Sequence, residues 1–316
     1  MIVQQSIFDA DLPLMLTPQE DKSSARLTEW VKNNLSYLQE ILNKHGALLF
    51  RGFDFKSPSE FERLTMAFCP HLKHYAGGNS PRSKITGKVY SSTEIPHERK
   101  LSLHNEASYL PKMPDYIFFY CDVSPAERGQ TPLADCRKLY KGIDPEIVNR
   151  FADRELCYIN NLHGGFGFGK SWQETFETEN KQEVEQHLKE QGYSYSWQPD
   201  GGLRTITRCP AVATHPVTGE KVWINQAEQW HPSVLDEMTR ESLLAMFKAE
   251  ELPHYVHFGD GAAIPESDLT HIREVMDSEE KLFDWEKGDV LVCDNLLVAH
   301  GREPFAGDRR ILVTIG

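Results

Sequence analysis

Leu101-Ser102-Leu103-His104-Asn105-Glu106-Ala107-Ser108-Tyr109 places an imidazole and a carboxylate one residue apart. A third candidate ligand, His300, sits far downstream in Val298-Ala299-His300-Gly301-Arg302. On a strand, residues two apart point to the same face. His104 and Glu106 are therefore expected to grip one ion together, with Asn105 turned away. Two imidazoles and one carboxylate form a facial ligand set with open coordination positions, which favours non-haem Fe(II). The same set also satisfies zinc, and a lone His-x-Glu is often a chance pair on a surface strand. The rest of the chain has to decide.

The C-terminal stretch adds to the pattern. Glu286-Lys287-Gly288-Asp289 reads as a turn, Val290 to Cys293 as a short buried strand, and Asp294-Asn295 precedes His300. Gly307-Asp308 makes a further turn before Arg309-Arg310-Ile311-Leu312-Val313-Thr314-Ile315. Alternation puts Arg310, Leu312 and Thr314 on one face and Arg309, Ile311, Val313 and Ile315 on the other. One arginine only can line a cavity. The face of Arg309 is the more continuously apolar and is expected to pack against helices, which assigns Arg310 to the cavity. A guanidinium there takes one end of a dicarboxylate as a bidentate, charge-assisted pair. Asp294 and Asn295 are expected to support His300 through its second ring nitrogen.

The 316 residues suffice for a large core and read as one domain, because ligands at 104, 106 and 300 tie both halves together. Acidic residues outnumber basic ones, 47 to 34, for a net charge of −13, which argues against nucleic acid and anionic membranes as partners. The six cysteines are scattered with no Cys-x-x-Cys, as expected of reduced thiols in a cytoplasmic protein. No signal peptide and no apolar run of membrane-spanning length is read.

Residues 24–45 read as an amphipathic helix on Leu27, Val31, Leu35, Leu38 and Leu42. Ser57-Pro58 reads as a helix start. Residues 88–95 and 115–124 read as strands, 178–191 and 232–249 as outer helices, and 211–226 as a hairpin turning at 217–219. Gly164 to Gly169 spells no nucleotide-binding signature and reads as a mobile aromatic lid or a plain turn. Residues 1–45 are expected to form a helical extension packed on a barrel, with lid loops inserted around 155–210. Many strands, outer helices and widely spaced ligands fit a mainly β protein, a two-sheet jelly-roll barrel.

The sequence resembles the Fe(II)/2-oxoglutarate dioxygenases of the taurine dioxygenase and clavaminate synthase group. The resemblance rests on Gly46–Phe53 (GALLFRGF), His104–Tyr109 (HNEASY), Gly129–Asp135 (GQTPLAD), Thr214–Asn225 (THPVTGEKVWIN) and Asp294–Arg310 (DNLLVAHGREPFAGDRR), in that order, from about residue 46 to the end of the sequence. Within the group, His-Asn-Glu and Ala-His-Gly-Arg-x-Pro-Phe are closer to clavaminate synthase and the syringomycin-type aspartyl hydroxylase than to taurine dioxygenase. The resemblance implies a double-stranded β-helix, with Fe(II) held by His104, Glu106 and His300. It implies 2-oxoglutarate as cosubstrate, O2 as oxidant, and succinate and CO2 as products. Thr131, 25 residues past Glu106, is implied to help the arginine hold the C5 carboxylate. Related halogenases lack the carboxylate ligand and use the vacancy for chloride, so Glu106 points to hydroxylation, with desaturation or cyclisation as variants.

The implied substrate is an amino acid or amino-acid derivative, free or presented on a carrier protein, in a biosynthetic pathway of the antibiotic type. Relatives acting on sulfonates carry a second arginine four residues after the cosubstrate arginine. Counted from Arg310 that position is Thr314, so taurine is not expected as substrate. Candidate substrate contacts are Arg302, Arg82 and Asn225, with Asn79 to Pro81 beside Arg82. His71 with His74, and His254 with His257, are metal pairs only if helical, and His215 reads as structural. Two other classes stay open. One is a zinc or iron barrel doing hydrolysis or isomerisation, which has no use for a dicarboxylate clamp. The other is a non-catalytic binding module, for which a degraded ligand set would speak.

Overall fold

The strand Tyr116–Val123 is the axis of the main sheet. It pairs antiparallel with Val290–Asp294 on one side and Arg310–Ile315 on the other. Ala47–Phe50, Leu14–Pro18 and Ile2–Ser6 extend one flank, and Val89–Ser91 and Lys84–Thr86 the other, giving eight strands. The computed structural model describes residues 2–6, 12–75 and 82–316. Asn79, Ser80 and Pro81 lie outside these residues.

Both faces of this sheet are buried, and the two-residue period separates them. Leu49, Phe119, Leu291, Ile311 and Val313 face an inner core shared with Leu103, Leu133 and Trp223. Leu48, Phe118, Tyr120, Val292 and Leu312 face the other way, under the helices Ser24–Asn33, Leu35–His45 and Pro58–Phe68. Each such side chain contributes about 1.5–3 kcal/mol on burial. The helices cover the side of Leu312, so the side of Ile311 is the interior.

A three-stranded sheet, in the order Leu101–His104, Val298–Arg302, Leu133–Asp135, lies across the inner core. A further sheet joins Leu156–Leu162, Ser194–Trp197, Leu203–Cys209 and His254–Phe258. The architecture is thus mainly β with outer helices. The hydrogen-bonded sheets are separate rather than one closed barrel.

Several local expectations need correction. The helix read over 24–45 is two helices broken at Asn34, whose Nδ2 donates to the Trp30 carbonyl at 2.8 Å. A short amide side chain competes with helical bonding in this way. The N-terminal extension is not only helical, since Ile2–Ser6 and Leu14–Pro18 join the main sheet. The helix read from 232 begins at Glu237, where Asp236 caps it by accepting from the Thr239 N–H at 3.0 Å. The 211–226 hairpin pairs Val212–Thr214 with Lys221–Trp223. Among the described residues no helix is long and apolar enough to cross a membrane, and the six cysteines are free thiols.

Candidate active site

His104 ends its strand directly opposite His300 on the neighbouring one, so pairing register alone brings the two rings to a centroid separation of 4.5 Å. Glu106 arrives differently. The strand stops at His104, and Ala107 adopts a left-handed conformation at φ 56°. Alternation along a strand is therefore not what aims Glu106. A clasp holds the turn instead. The Glu106 N–H donates to Asn295 Oδ1 at 2.8 Å, and Asn295 Nδ2 donates to the carbonyls of Glu106 and Pro114. Asn105 does turn away, and its Nδ2 donates to the Asn295 carbonyl at 2.7 Å.

Each of His104, Glu106 and His300 offers one ligand atom, and these atoms lie within 4.8 Å of one another in a buried cluster. Glu106 Oε2 is 3.8 Å from His300 Nε2. His104 Nδ1 donates to the Ser102 carbonyl at 2.9 Å, which leaves Nε2 as a lone-pair donor. Burial, then the nearby His300, lowers the His104 pKa to about 4, so its ring is neutral at ordinary pH. Burial works to raise the Glu106 carboxyl, but Arg82 and the two histidines outweigh it and hold it well below the usual carboxylate range. His300 Nδ1 is buried with no hydrogen-bond partner among the described residues. Two imidazoles and a carboxylate at this spacing, one ring with an orphaned nitrogen, fit a divalent cation.

The expected supports of His300 lie elsewhere. Asn295 serves Glu106, and Asp294 pairs with His215 at 3.1 Å while capping the N–H groups of Leu296 and Leu297. Asp294 faces this turn because the strand Val290–Asp294 ends there. His254 and His257 are on a strand, where a three-residue spacing sends them to opposite faces.

A cavity of about 360 Å³ of empty space, mouth included, opens beside the cluster between the two facing sheets. Phe119 and Ile311 line one wall, His104 and His300 the other, with Thr131 and Arg309 at one end. The arginine assignment from alternation is thereby reversed. Arg310 lies on the outer face with a side chain 61% exposed, paired with Asp122. Arg309 shares the inner face with Ile311 and Val313. Both faces are apolar, so hydrophobicity did not discriminate between them. Arg309 Nε donates to the Gly129 carbonyl at 2.9 Å, and Nη2 lies 3.5 Å from Thr131 Oγ1. Gly129 is at φ +71°, and a Cβ there would stand 2.8 Å from the Phe305 Cβ, so glycine alone presents that carbonyl. Thr131 Oγ1 also accepts from Trp285 Nε1 at 3.0 Å, which leaves the hydroxyl hydrogen to donate into the cavity. Burial, and then the charge of Arg302, lowers Arg309 to about 10, so it remains a cation at neutral pH. Trp285 was not anticipated, because nothing in its sequence context separates it from a core tryptophan.

Two of the three candidate substrate contacts are already committed. Arg302 donates to the carbonyls of Thr93, Ile95, Pro96 and Arg99 and is a strut for that loop. Asn225 donates to the Ala211 carbonyl and accepts from the Ala227 N–H. Arg82 alone remains at the cluster, donating from Nη2 to Glu106 Oε2 at 2.7 Å.

The sequence profile described as "Taurine catabolism dioxygenase TauD, TfdA family" matches residues 12–315. The dapdiamide synthesis protein DdaC of Enterobacter agglomerans is 36% identical over 278 residues, 88% of this chain and 84% of that protein. A clavaminate synthase-like protein of Arabidopsis thaliana is 31% identical over 297 residues, 91% of this chain and 86% of that one. Among solved structures, PvcB of Pseudomonas aeruginosa superposes with a TM-score of 0.58 at 16% identity, covering 99% of this chain and 90% of that one. AAD-2 in complex with Mn(II) and N-oxalylglycine gives 0.60 at 14% identity, over 100% and 96%. With a profile match over nearly the whole length and a buried His-Glu-His cluster beside an arginine-ended cavity, the chain belongs to the TauD/TfdA family and is a non-haem Fe(II)/2-oxoglutarate-dependent dioxygenase.

Proposed function

We propose that the enzyme hydroxylates an aliphatic C–H, at Cβ or Cγ, of an amino acid or amino-acid derivative in a biosynthetic pathway. In this reading His104, Glu106 and His300 hold the iron, and Arg309 with Thr131 holds the C5 carboxylate of 2-oxoglutarate. The carrying observation is that the ligand cluster and the Arg309–Thr131 pair share one cavity. A hydrolase has no use for that pair. When bound, the iron and 2-oxoglutarate supply the oxidant, with succinate and CO2 released. The protein's own share is to bind, orient and exclude water. Arg309 fixes one end of the cosubstrate, Phe119 and Ile311 keep the adjacent wall apolar, and the Asn295 clasp holds Glu106 in place. A double-stranded β-helix is the natural reading of two facing sheets with the site between them.

The similarity to a dapdiamide synthesis protein supports an amino-acid-like substrate. Counted from Arg309, the position of the second sulfonate-binding arginine is Val313, an inner-core residue. It is as uncharged as Thr314, and taurine is not expected to be turned over. The test is a succinate-release screen over free amino acids and pantetheine-tethered aminoacyl thioesters, with product mass. A gain of one oxygen supports hydroxylation and a loss of two hydrogens moves the reaction to desaturation. Taurine-dependent sulfite release overturns the substrate reading.

A further inference from the structure

Arg82 is as buried as the carboxylate it touches, with both side chains 3% exposed. Among the described residues Nη2 donates to Oε2 of Glu106, and Nε and Nη1 are buried with no partner. A guanidinium carries five N–H donors in a fixed plane and is a cation at neutral pH. Most of that capacity is unused among the described residues, in the lining of the cavity that His104 and His300 also line. The Tyr75 ring lies 4.2 Å from Arg82 Cζ and fixes the plane of the fork. A carboxylate that ligates a cation shares its charge with it, so Glu106 alone leaves Arg82 under-compensated once the iron is bound.

We propose that Arg82 anchors a free carboxylate of the substrate through the donors that Glu106 leaves unused. The inference rests on the oxygenase reading above and narrows it. The same guanidinium touches Glu106, so the anchored carboxylate lies close to the ligand cluster. The carbon presented there is then only a few bonds from that carboxylate, as in a small amino or carboxylic acid. An amide lacks the charge, and a thioester through that carboxyl lacks both the charge and the second oxygen. Arg82 is in this sense a specificity-determining residue that selects the free acid at that end of the molecule.

The experiment uses the full chain with Fe(II) and saturating 2-oxoglutarate under anaerobic conditions, and follows the visible charge-transfer band. Sodium acetate is the probe and acetamide its uncharged counterpart. Acetate is expected to shift the band saturably and acetamide to leave it unmoved. Arg82→Gln is expected to need about tenfold more acetate or beyond, and Arg82→Lys an intermediate amount. A wild-type chain that forms no band overturns the oxygenase reading itself. A normal band with no acetate response, an equal response to acetamide, or loss of the band through displacement of 2-oxoglutarate overturns the Arg82 assignment alone. So does an undiminished acetate response in Arg82→Gln. If Arg82→Gln forms no band, an acetate requirement unchanged in Arg82→Lys overturns it.

Discussion

Arg309→Ala and Arg310→Ala are adjacent substitutions that should behave oppositely. Arg309 is a desolvated cation with no ion-pair partner among the described residues. Its Nε is spent on the Gly129 carbonyl, its Nη2 is only loosely engaged by Thr131, and burial depresses it to about 10. A dicarboxylate end entering the cavity supplies the missing partner. Removing one side of a buried, hydrogen-bonded charge pair costs about 2–5 kcal/mol. At about 1.4 kcal/mol per decade, the 2-oxoglutarate requirement of Arg309→Ala should rise about thirtyfold to several-thousandfold. Arg310 is exposed and pairs with Asp122 on the outer face. Surface pairs are worth about 0–1 kcal/mol, so Arg310→Ala should stay within about fivefold of wild type. The assay is titration of 2-oxoglutarate against the charge-transfer band and, separately, against succinate release. A larger effect from Arg310→Ala would falsify the inward assignment of Arg309. The same geometry sets a pH dependence. The carboxylate binds the protonated guanidinium, whose pKa in the free site is about 10. Affinity should be flat through neutrality and fall as pH rises through about 10.

Further expectations concern the metal and its supports. Alanine at His104, Glu106 or His300 should each weaken Fe(II) retention by more than about 100-fold in equilibrium dialysis, since even residues that only support ligands are worth about 10–100-fold. His215→Ala should leave retention near wild type, and the reverse ranking removes His300 from the ligand set. Thr131→Val strands the Trp285 N–H and deletes a donor to the cosubstrate. A five- to tenfold rise in 2-oxoglutarate requirement, about 1 kcal/mol, is expected, and no change would separate Thr131 from the cosubstrate. Asn295→Ala leaves the N–H and C=O of Glu106 and the C=O of Pro114 without their buried partner. Stability should fall by about 3 kcal/mol in urea unfolding, with metal affinity down about 10–100-fold. Wild-type behaviour on both counts would reduce the clasp to packing.

What the sequence could and could not disclose follows from how far each determinant reaches. The strand over Val290–Asp294 and the helix from Pro58 rest on short-range signals, an apolar run between turns and a proline in the first turn, and both formed. The meeting of His104 and Glu106 was foreseen, but for a reason that fails, because Glu106 lies past the strand end in a turn fixed by a side chain 189 residues away. The arginine choice failed for a different cause. A sheet buried on both faces offers two apolar sides, and only the position of the helices tells which is interior. Arg302 and Asn225 looked available because a sequence lists donors without their acceptors. In the fold both are occupied by backbone groups.

The Asn295 clasp has a bearing on how the protein keeps its iron. The ligands come from two chain segments, and the clasp that ties them, Glu106 to Asn295, joins positions 189 apart in sequence. A bound cation therefore acts as a non-covalent cross-link closing a long loop, the geometry in which a link removes most freedom from the unfolded chain. Ion at a thousandfold excess over its dissociation constant stabilises the folded form by about 4.1 kcal/mol. Oxidative damage to one ligand would cancel that contribution together with activity, so a spent molecule should be easier to unfold than a working one.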